Sequence, residues 1–214
     1  RCVPGQVMGH DQHMSFANNV GPSHATRETV NGAKQRPAHP LMNDMSNLDE
    51  NGEILGAEDR RRMFNLGNRL WHSDSSFKAT PARYSMLHAR SIPPEGGETE
   101  FADMRAAWDA LPAKTKDQVR ELVCDHSLIY SRALLGFGEF NAEERRQFAP
   151  VPQRLVRRHA GSGRLSLYLA APIGRIEAWP GPRDQALARD PTETGRAAGG
   201  DKGGSPGAGR LVEK

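Results

Sequence analysis

An imidazole and a carboxylate stand two residues apart in the segment NRLWHSDSSF, which runs from Asn68 to Phe77. Side chains alternate between faces in an extended chain, so His72 and Asp74 are expected to point the same way and to hold one ion between them. Imidazole plus carboxylate suits Fe(II), and zinc is a chemical alternative. The same two residues also fit a histidine that is hydrogen-bonded to an aspartate at the end of a strand.

A second segment with chemical potential, GGETEFADMRAAWDALP, begins at Gly96 and places Thr99 after two glycines. A threonine hydroxyl near a metal can hold the distal carboxylate of a dicarboxylic acid. Its ordinary role is that of a turn or strand hydroxyl. Thr99 therefore gains meaning only together with His72 and Asp74.

Helices are predicted in four places around these segments. The first lies in HDQHMSFANNVGP, which starts at His10 and is stopped by a Gly-Pro pair. Asp103 is predicted to cap a second helix, and Val119 lies in the apolar stripe of a third. Asn141 followed by Glu144 is typical of a capping box at the start of a fourth. Their apolar faces indicate scaffold rather than site.

Extended structure is predicted at two further places. ARYSMLHARSIPP, from Ala82 to Pro94, alternates in a way typical of a strand. RLVRRHAGSGRLSLYLA predicts a β-hairpin with arms Arg154 to His159 and Arg164 to Ala170 around a Gly-Ser-Gly turn. Asn51-Gly52 is a strong signal for another tight turn. Strands with helices between them predict a mainly β fold with helical insertions.

Composition predicts a single loop-rich domain. The chain has 214 residues, of which 36% are apolar, 22 are glycine and 15 are proline. Residues 23–41 are expected to be a long loop, and the polar, glycine-rich stretch 181–214 a disordered tail. The expected domain therefore covers residues 1–180.

Charge and cysteine content narrow the classes of partner. The net charge of +3 comes from 29 basic and 26 acidic side chains, and no aromatic residues alternate with the arginine clusters, so we expect no nucleic-acid partner. The sequence has two cysteines and no apolar run of the roughly 18 residues that would span a bilayer. We therefore expect no disulfide, no membrane partner and a cytoplasmic location.

The segments NRLWHSDSSF, ARYSMLHARSIPPEGGETEFADMRAAWDALP and LVRRHAGSGR, taken together and in this order, resemble the TfdA/TauD family of dioxygenases that depend on Fe(II) and 2-oxoglutarate. Within that family they are most similar to the 2,4-dichlorophenoxyacetate dioxygenase branch. The resemblance runs from about Gly5 to Pro180. It implies a double-stranded β-helix, or jelly roll, which would be incomplete at its C-terminal end.

The resemblance also implies roles for four residues. His72 and Asp74 match the two iron ligands of the family's HxD motif. Thr99 matches the threonine that helps to bind 2-oxoglutarate, and Asn68 stands at the position of an active-site asparagine. With O2 as the second co-substrate, such an enzyme converts 2-oxoglutarate to succinate and CO2 while it hydroxylates a small carboxylic acid. An aryloxyacetate would then collapse to a phenol and glyoxylate.

The family's second histidine ligand and an arginine for 2-oxoglutarate stand in an HRG-containing segment, which has no match here. From Gly181 onward the sequence is typical of a frame-shifted or substituted end, and Pro172 replaces a histidine that is common in the family. His88, expected in a strand, and His126 and His159, expected near element ends and partly exposed, are not predicted to supply the third ligand. We therefore expect very low 2-oxoglutarate turnover from this chain alone.

Alternatives remain at this point. A sulfonate dioxygenase resembling the taurine enzymes uses the same chemistry on another substrate. A second alternative is an inactive, truncated product that folds poorly or binds a carboxylate without turnover. A homo-oligomer is compatible with each of them.

Overall fold

The computed structural model describes residues 3–24, 41–97, 99–171, 173–176 and 210–213. The chain forms two compact units. The first unit comprises Arg1–Asn65 and Ala82–Ile92, and the second comprises Leu66–Pro81 and Pro93–Lys214. The predicted division after Pro180 falls outside the described residues and stays a prediction, as does most of the predicted loop 23–41.

The first unit contains two short helices and one tight turn. Helix α1 (His10–Asn18) confirms the helix predicted in this stretch, and α2 (Arg60–Asn65) follows later. Leu48 and Ile54 form an antiparallel bridge around the predicted Asn-Gly turn, where Gly52 has a φ of 86°. Glycine takes this left-handed conformation without steric cost, which explains its place in the turn.

The strand predicted between Ala82 and Pro94 is wrong. Residues 82–92 have no regular strand, and Tyr84, Leu87 and Ile92 are exposed. Alternating side chains need a neighbouring strand to form a ladder. No strand of the first unit lies beside this segment in the described residues, so its alternation indicated an extended chain rather than a sheet.

The second unit carries the remaining helices and all the named strands. A 3₁₀ helix at Leu66–Arg69 is followed by four α-helices: α3 (Met104–Ala110), α4 (Ala113–Val119), α5 (Leu128–Ala133) and α6 (Ala142–Gln147). None of the described helices is long and apolar enough to cross a membrane.

Its strands form three small sheets. The strands are β1 (Glu100–Asp103), β2 (Val123–His126), β3 (Val151–Arg154), β4 (Val156–Arg158), β5 (Leu165–Leu167), β6 (Ile173–Ile176) and β7 (Arg210–Glu213). Strand β2 lies between β3 and β6, antiparallel to both. Strands β4 and β5 form the predicted hairpin, and β1 pairs with β7 in parallel. Four residues of the predicted disordered tail thus form a strand, and its other residues lie outside the described ones.

Two predicted helix caps are confirmed. The Asp103 side chain accepts hydrogen bonds from the backbone amides of Arg105, at 2.9 Å, and Ala106 at the start of α3. At α6 the Asn141 amide oxygen accepts from the Glu144 backbone amide while the Glu144 carboxylate accepts from that of Asn141. These bonds satisfy amides that the first helical turn leaves without partners.

The hydrophobic core lies in the second unit, where α3 packs against β5. The buried apolar side chains come from α3, α4 and the sheet strands, with Trp71 packed against them from the side. Burying such side chains contributes about 1.5–3 kcal/mol each. The segment that carries His72 and Asp74 thus starts from a residue anchored on the core.

Candidate metal centre

His72 is held by a backbone carbonyl. Its Nδ1 lies 2.7 Å from the Leu70 carbonyl oxygen, which can only accept a hydrogen bond, so Nδ1 carries the proton. In the neutral ring Nε2 then carries the free lone pair. Metal-binding histidines are commonly fixed in this way, with the second ring nitrogen donating to a carbonyl.

Asp74 stands in front of that lone pair. The distance from His72 Nε2 to Asp74 Oδ1 is 3.3 Å. Two ligands about 2.1 Å from one divalent ion and at right angles to each other are about 3 Å apart, so the two atoms fit a shared ion. The imidazole and carboxylate are a donor set that suits Fe(II). The residues present therefore fit the metal that the HxD pattern predicts.

The turn that carries Asp74 contains a strained residue. Ser75 has a φ of 57°, in the left-handed region that residues other than glycine rarely adopt. Such a conformation costs about 1–3 kcal/mol and persists only where surrounding contacts enforce it. Turn bonds from the Ser76 amide to the Ser73 carbonyl and from the Lys78 amide to the Ser75 carbonyl close the loop. Asp74 thus lies on a turn whose shape needs external support.

Gln153 supplies that support from strand β3. Its buried side-chain amide donates to the Ser76 carbonyl at 2.9 Å and to the Lys78 carbonyl at 2.8 Å. The side-chain oxygen of Gln153 in turn accepts a hydrogen bond from the Arg157 guanidinium. One buried amide therefore joins the turn after Asp74 to the sheet, and an arginine fixes the orientation of that amide.

Arg157 also stacks on an aromatic ring. Its guanidinium carbon lies 3.8 Å from the centre of the Tyr168 ring. Burial raises the pKa of the Tyr168 phenol to about 12, with Arg157 opposing the rise and the charge of Asp74 adding to it. The phenol is therefore neutral at physiological pH and lies within electrostatic reach of Asp74. His126 stacks on the same ring, with 5.2 Å between the ring centres.

Asn68 lies one short helical turn before His72. It is half-buried in the 3₁₀ helix Leu66–Arg69, whose Gly67 faces the buried Arg132 of α5. The Arg132 guanidinium packs directly on the Gly67 backbone, so a Cβ atom at this position would require the arginine side chain to shift.

Thr99 is placed differently from the other three candidates. It is exposed and immediately precedes β1. Within the described residues its hydroxyl makes no hydrogen bond to His72 or Asp74. The structure thus brings His72 and Asp74 together, sets Asn68 nearby along the chain and leaves Thr99 at the surface.

Comparison with known proteins identifies the lineage of this site. The model of the family described as taurine catabolism dioxygenase TauD, TfdA family matches residues 2–197. The chain belongs to the TauD, TfdA family.

Two curated relatives have names that describe aryloxy acids. The alpha-ketoglutarate-dependent 2,4-dichlorophenoxyacetate dioxygenase of Cupriavidus pinatubonensis (strain JMP 134 / LMG 1197) is 42% identical over 82% of this chain and 61% of its own length. The (S)-phenoxypropionate/alpha-ketoglutarate-dioxygenase of Sphingobium herbicidovorans is 33% identical over 78% of this chain and 55% of its own length. This TauD, TfdA family chain therefore spans about three fifths or less of the curated relatives it matches.

A solved structure shows the same fold. AAD-2, determined in complex with Mn(II) and N-oxalylglycine, superposes with a TM-score of 0.85 and is 47% identical. The match covers 90% of this chain and 67% of that chain. The expected fold class, a mainly β double-stranded β-helix with helical insertions, is confirmed.

Within its described residues, the TauD, TfdA chain shows two iron-ligand candidates and not a third. In the part of the chain that the structure describes, no group of three or more His, Cys, Asp or Glu side chains could hold a metal ion. The prediction that His126 is partly exposed is wrong, because His126 is fully buried against Tyr168. His88 is half-buried outside any strand, and His159 accepts a hydrogen bond from the Ser162 amide in the hairpin turn.

Sequence reasoning missed the residues that support the site. Gln153, Arg157 and Tyr168 lie some 75 or more residues beyond the turn they support, which leaves no local signal in the chain. The hairpin that contains Arg157 and Tyr168 was predicted as an element, but its alternation does not say which face meets Asp74. A buried glutamine in a short strand is the one hint, since a buried amide needs partners.

Proposed function

We propose that this chain carries the iron-binding half of a dioxygenase that uses Fe(II), 2-oxoglutarate and O2 to hydroxylate an aryloxyalkanoate. The observation that supports it best is the pair of atoms His72 Nε2 and Asp74 Oδ1, 3.3 Å apart, with the other ring nitrogen of His72 held by a carbonyl. The names of the two curated relatives favour an aryloxy acid over a sulfonate.

The bound iron, with 2-oxoglutarate and O2, would supply oxidative decarboxylation to succinate and CO2 together with hydroxylation of the substrate. His72 and Asp74 hold the ion, and Gln153 keeps the Asp74 turn in place through the Ser76 and Lys78 carbonyls. Tyr168 and its stacked Arg157 form a buried polar wall near Asp74.

Thr99 is proposed to bind 2-oxoglutarate and Asn68 to contact the substrate. Both roles rest on the family motif. Thr99 is at the surface in this conformation, so binding of 2-oxoglutarate would need a partner group beside it. The substrate proposed is a small-molecule carboxylate such as 2,4-dichlorophenoxyacetate. Hydroxylation at the carbon beside the ether oxygen gives a hemiacetal, which breaks down to a phenol and glyoxylate.

A second candidate is a chain that folds but does not turn over by itself. The observation behind it is the absence of a three-ligand group within the described residues, since two protein ligands bind an ion more weakly than three. A cytoplasmic location, a homo-oligomeric state and the absence of nucleic-acid or membrane partners stay predictions.

One experiment separates these candidates. Succinate release is measured with Fe(II), 2-oxoglutarate and a panel of aryloxyacetates, phenoxypropionates and taurine, for this chain and for the chain extended with the C-terminal third of a family member. We expect release with aryloxy acids from the extended chain and very little from the shorter one. Release with taurine alone would contradict the substrate class.

The extended chain also tests the two ligands. Asp74→Asn keeps the size of the side chain but removes the charge, and we expect turnover to fall by about a hundredfold or more. Asp125→Asn, on strand β2, is the matched control and should leave turnover unchanged. Equal activity of the Asp74 variant and the parent would exclude Asp74 as a ligand.

A further inference from the structure

A pair of imidazoles lies in the first unit, at residues that the proposed dioxygenase site does not use. His13, on α1, and His88, in the irregular segment 82–92, meet edge to face with 5.8 Å between their ring centres and 60° between their planes. Both rings are half-buried, and the Nδ1 atom of each is shielded from solvent. Neither Nδ1 atom has a hydrogen-bond partner among the residues that the structure describes.

His88 has the same anchoring as a metal-binding histidine. Its Nε2 lies 3.2 Å from the Gln6 carbonyl oxygen, so Nε2 carries the proton and donates it. The Nδ1 of the neutral ring is then a lone pair that faces the protein interior. A buried acceptor without a donor is unfavourable, and an ion bound at that atom would offset this cost.

A cation suits this pair better than an anion does. With the Nε2 of His88 donating to the Gln6 carbonyl, the Nδ1 of that neutral ring is an acceptor, and an anion cannot bind to an acceptor.

The spacing of the two rings fits one shared ion. Two imidazoles bound to one zinc ion through Zn–N bonds of about 2.1 Å have ring centres about 5.2 Å apart at the tetrahedral angle and about 6.4 Å apart if the two bonds are collinear. The observed 5.8 Å lies between these two values. Solvent would fill the remaining positions, because no third His, Cys, Asp or Glu side chain completes the group among the described residues.

We propose that His13 and His88 form a second metal site, which binds one late first-row divalent cation such as Zn²⁺ through their two Nδ1 atoms. Imidazole ligands favour Zn²⁺, Cu²⁺ and Ni²⁺ over Mn²⁺. The site would hold α1 to the segment 82–92, two parts of the first unit that are far apart in the sequence.

The test is a calorimetric titration of Zn²⁺ into metal-free protein without an affinity tag. His13→Gln and His88→Gln each remove Nδ1, and the new amide at position 88 can still donate to the Gln6 carbonyl. We expect each variant to lose about tenfold or more in Zn²⁺ affinity. His24→Asn, at an exposed histidine of the same unit, is the control and should retain the parent affinity.

Two results would overturn the site: no Zn²⁺ binding by the parent, or unchanged affinity in either glutamine variant. Because a glutamine variant can fail to fold, the unmodified chain is also followed by ¹⁵N spectra of its histidine rings. Zn²⁺ should move the Nδ1 resonances of two imidazoles that the His24→Asn spectrum retains. Ring resonances that do not move on addition of Zn²⁺ would equally exclude the site.

Discussion

The two units anchor an imidazole in the same way but surround it differently. His72 in the second unit and His88 in the first each donate one ring N–H to a backbone carbonyl and leave the other nitrogen open. His72 faces a carboxylate on a turn that Gln153 joins to the sheet. His88 faces another imidazole from a nine-residue helix. The first arrangement is rigid, and the second depends on how firmly α1 is held.

The packing of the two units differs accordingly. Of the described residues, Leu55 is the one buried apolar side chain of the first unit, whereas the second unit contains the whole buried cluster. Most of the exposed large apolar side chains belong to the first unit: Val3, Val7, Phe16, Val20, Met45, Ile54, Tyr84, Leu87 and Ile92. A catalytic metal needs ligands held on packed elements, and the proposed ligands His72 and Asp74 belong to this packed unit. The first unit opens more easily, because few buried contacts oppose it.

The largest expected effect tests the packing itself. Leu155 is 1% exposed and lies in the core cluster between β3 and β4, so Leu155→Ala should reduce the free energy of unfolding by about 2–5 kcal/mol. Phe16→Ala removes a larger side chain from the first unit, but that ring is 56% exposed, so the change should stay within about 0.5 kcal/mol. Urea unfolding measures both, and equal losses would remove the contrast between the units.

The next effect tests the support of the Asp74 turn. Gln153→Leu keeps the volume but deprives the Ser76 and Lys78 carbonyls of their shared donor, which should cost about 2 kcal/mol. Gln6→Leu, at an exposed amide that reaches only the neighbouring Pro4 carbonyl, is the matched change in the first unit and should be nearly neutral. If both variants unfold at the urea concentration of the parent, Gln153 does not hold the turn.

A smaller effect concerns pH and falls on the first unit. In the folded chain the pKa of His13 lies below its ordinary value of 6.5, so the folded chain protonates His13 less readily than the unfolded chain does. Below about pH 6.5 the unfolded state binds more protons than the folded state. The stability that neutral His13 contributes is therefore fully present above that pH and is lost as the pH is lowered. Hydrogen exchange of α1 amides, corrected for its intrinsic pH dependence, should therefore accelerate as the pH is lowered from about 7.5 to about 5.5.

The control for this pH effect is His13→Gln, which has no titrating group and should flatten the dependence. Amides of β2 and β3 in the second unit serve as the internal reference. Acceleration that is equal in both units would point to the charge of the whole chain rather than to His13.

The features that sequence predicted are the local ones. The α3 and α6 caps and the β4–β5 hairpin each depend on residues a few positions apart, so the local pattern is sufficient. The pairing of His72 with Asp74 is local as well, although Asp74 begins a turn and does not continue an extended strand. What could not be predicted is the partner of each local feature. Alternation in residues 82–92 indicated a strand, but no neighbouring strand of that unit lies beside it.

The buried polar residues show the same limit. His126 and Gln153 lie in adjacent four-residue strands, too short for their burial to be read from a pattern. Their contacts with Tyr168 and with the Asp74 turn join distant parts of the chain. The candidate ligands could therefore be proposed from a motif, whereas the residues that support them could not.

The smallest expected effect compares the starts of two helices. At α6, Asn141 accepts a hydrogen bond from the Glu144 amide, so Asn141→Ala should destabilise the second unit by about 1 kcal/mol. At α1 the cap is Gly9, which has no side chain to accept such a bond, although the Gln12 side chain accepts from its amide at 2.8 Å. Gly9→Ser adds the missing acceptor at an extended residue whose new Cβ meets only ordinary contacts, so α1 should gain a few tenths of a kcal/mol. Slower exchange of the α1 amides in Gly9→Ser, with the β2 amides unchanged, would show that α1 is limited by its own local stability. Unchanged exchange would instead show that its stability is set by the contact between His13 and His88.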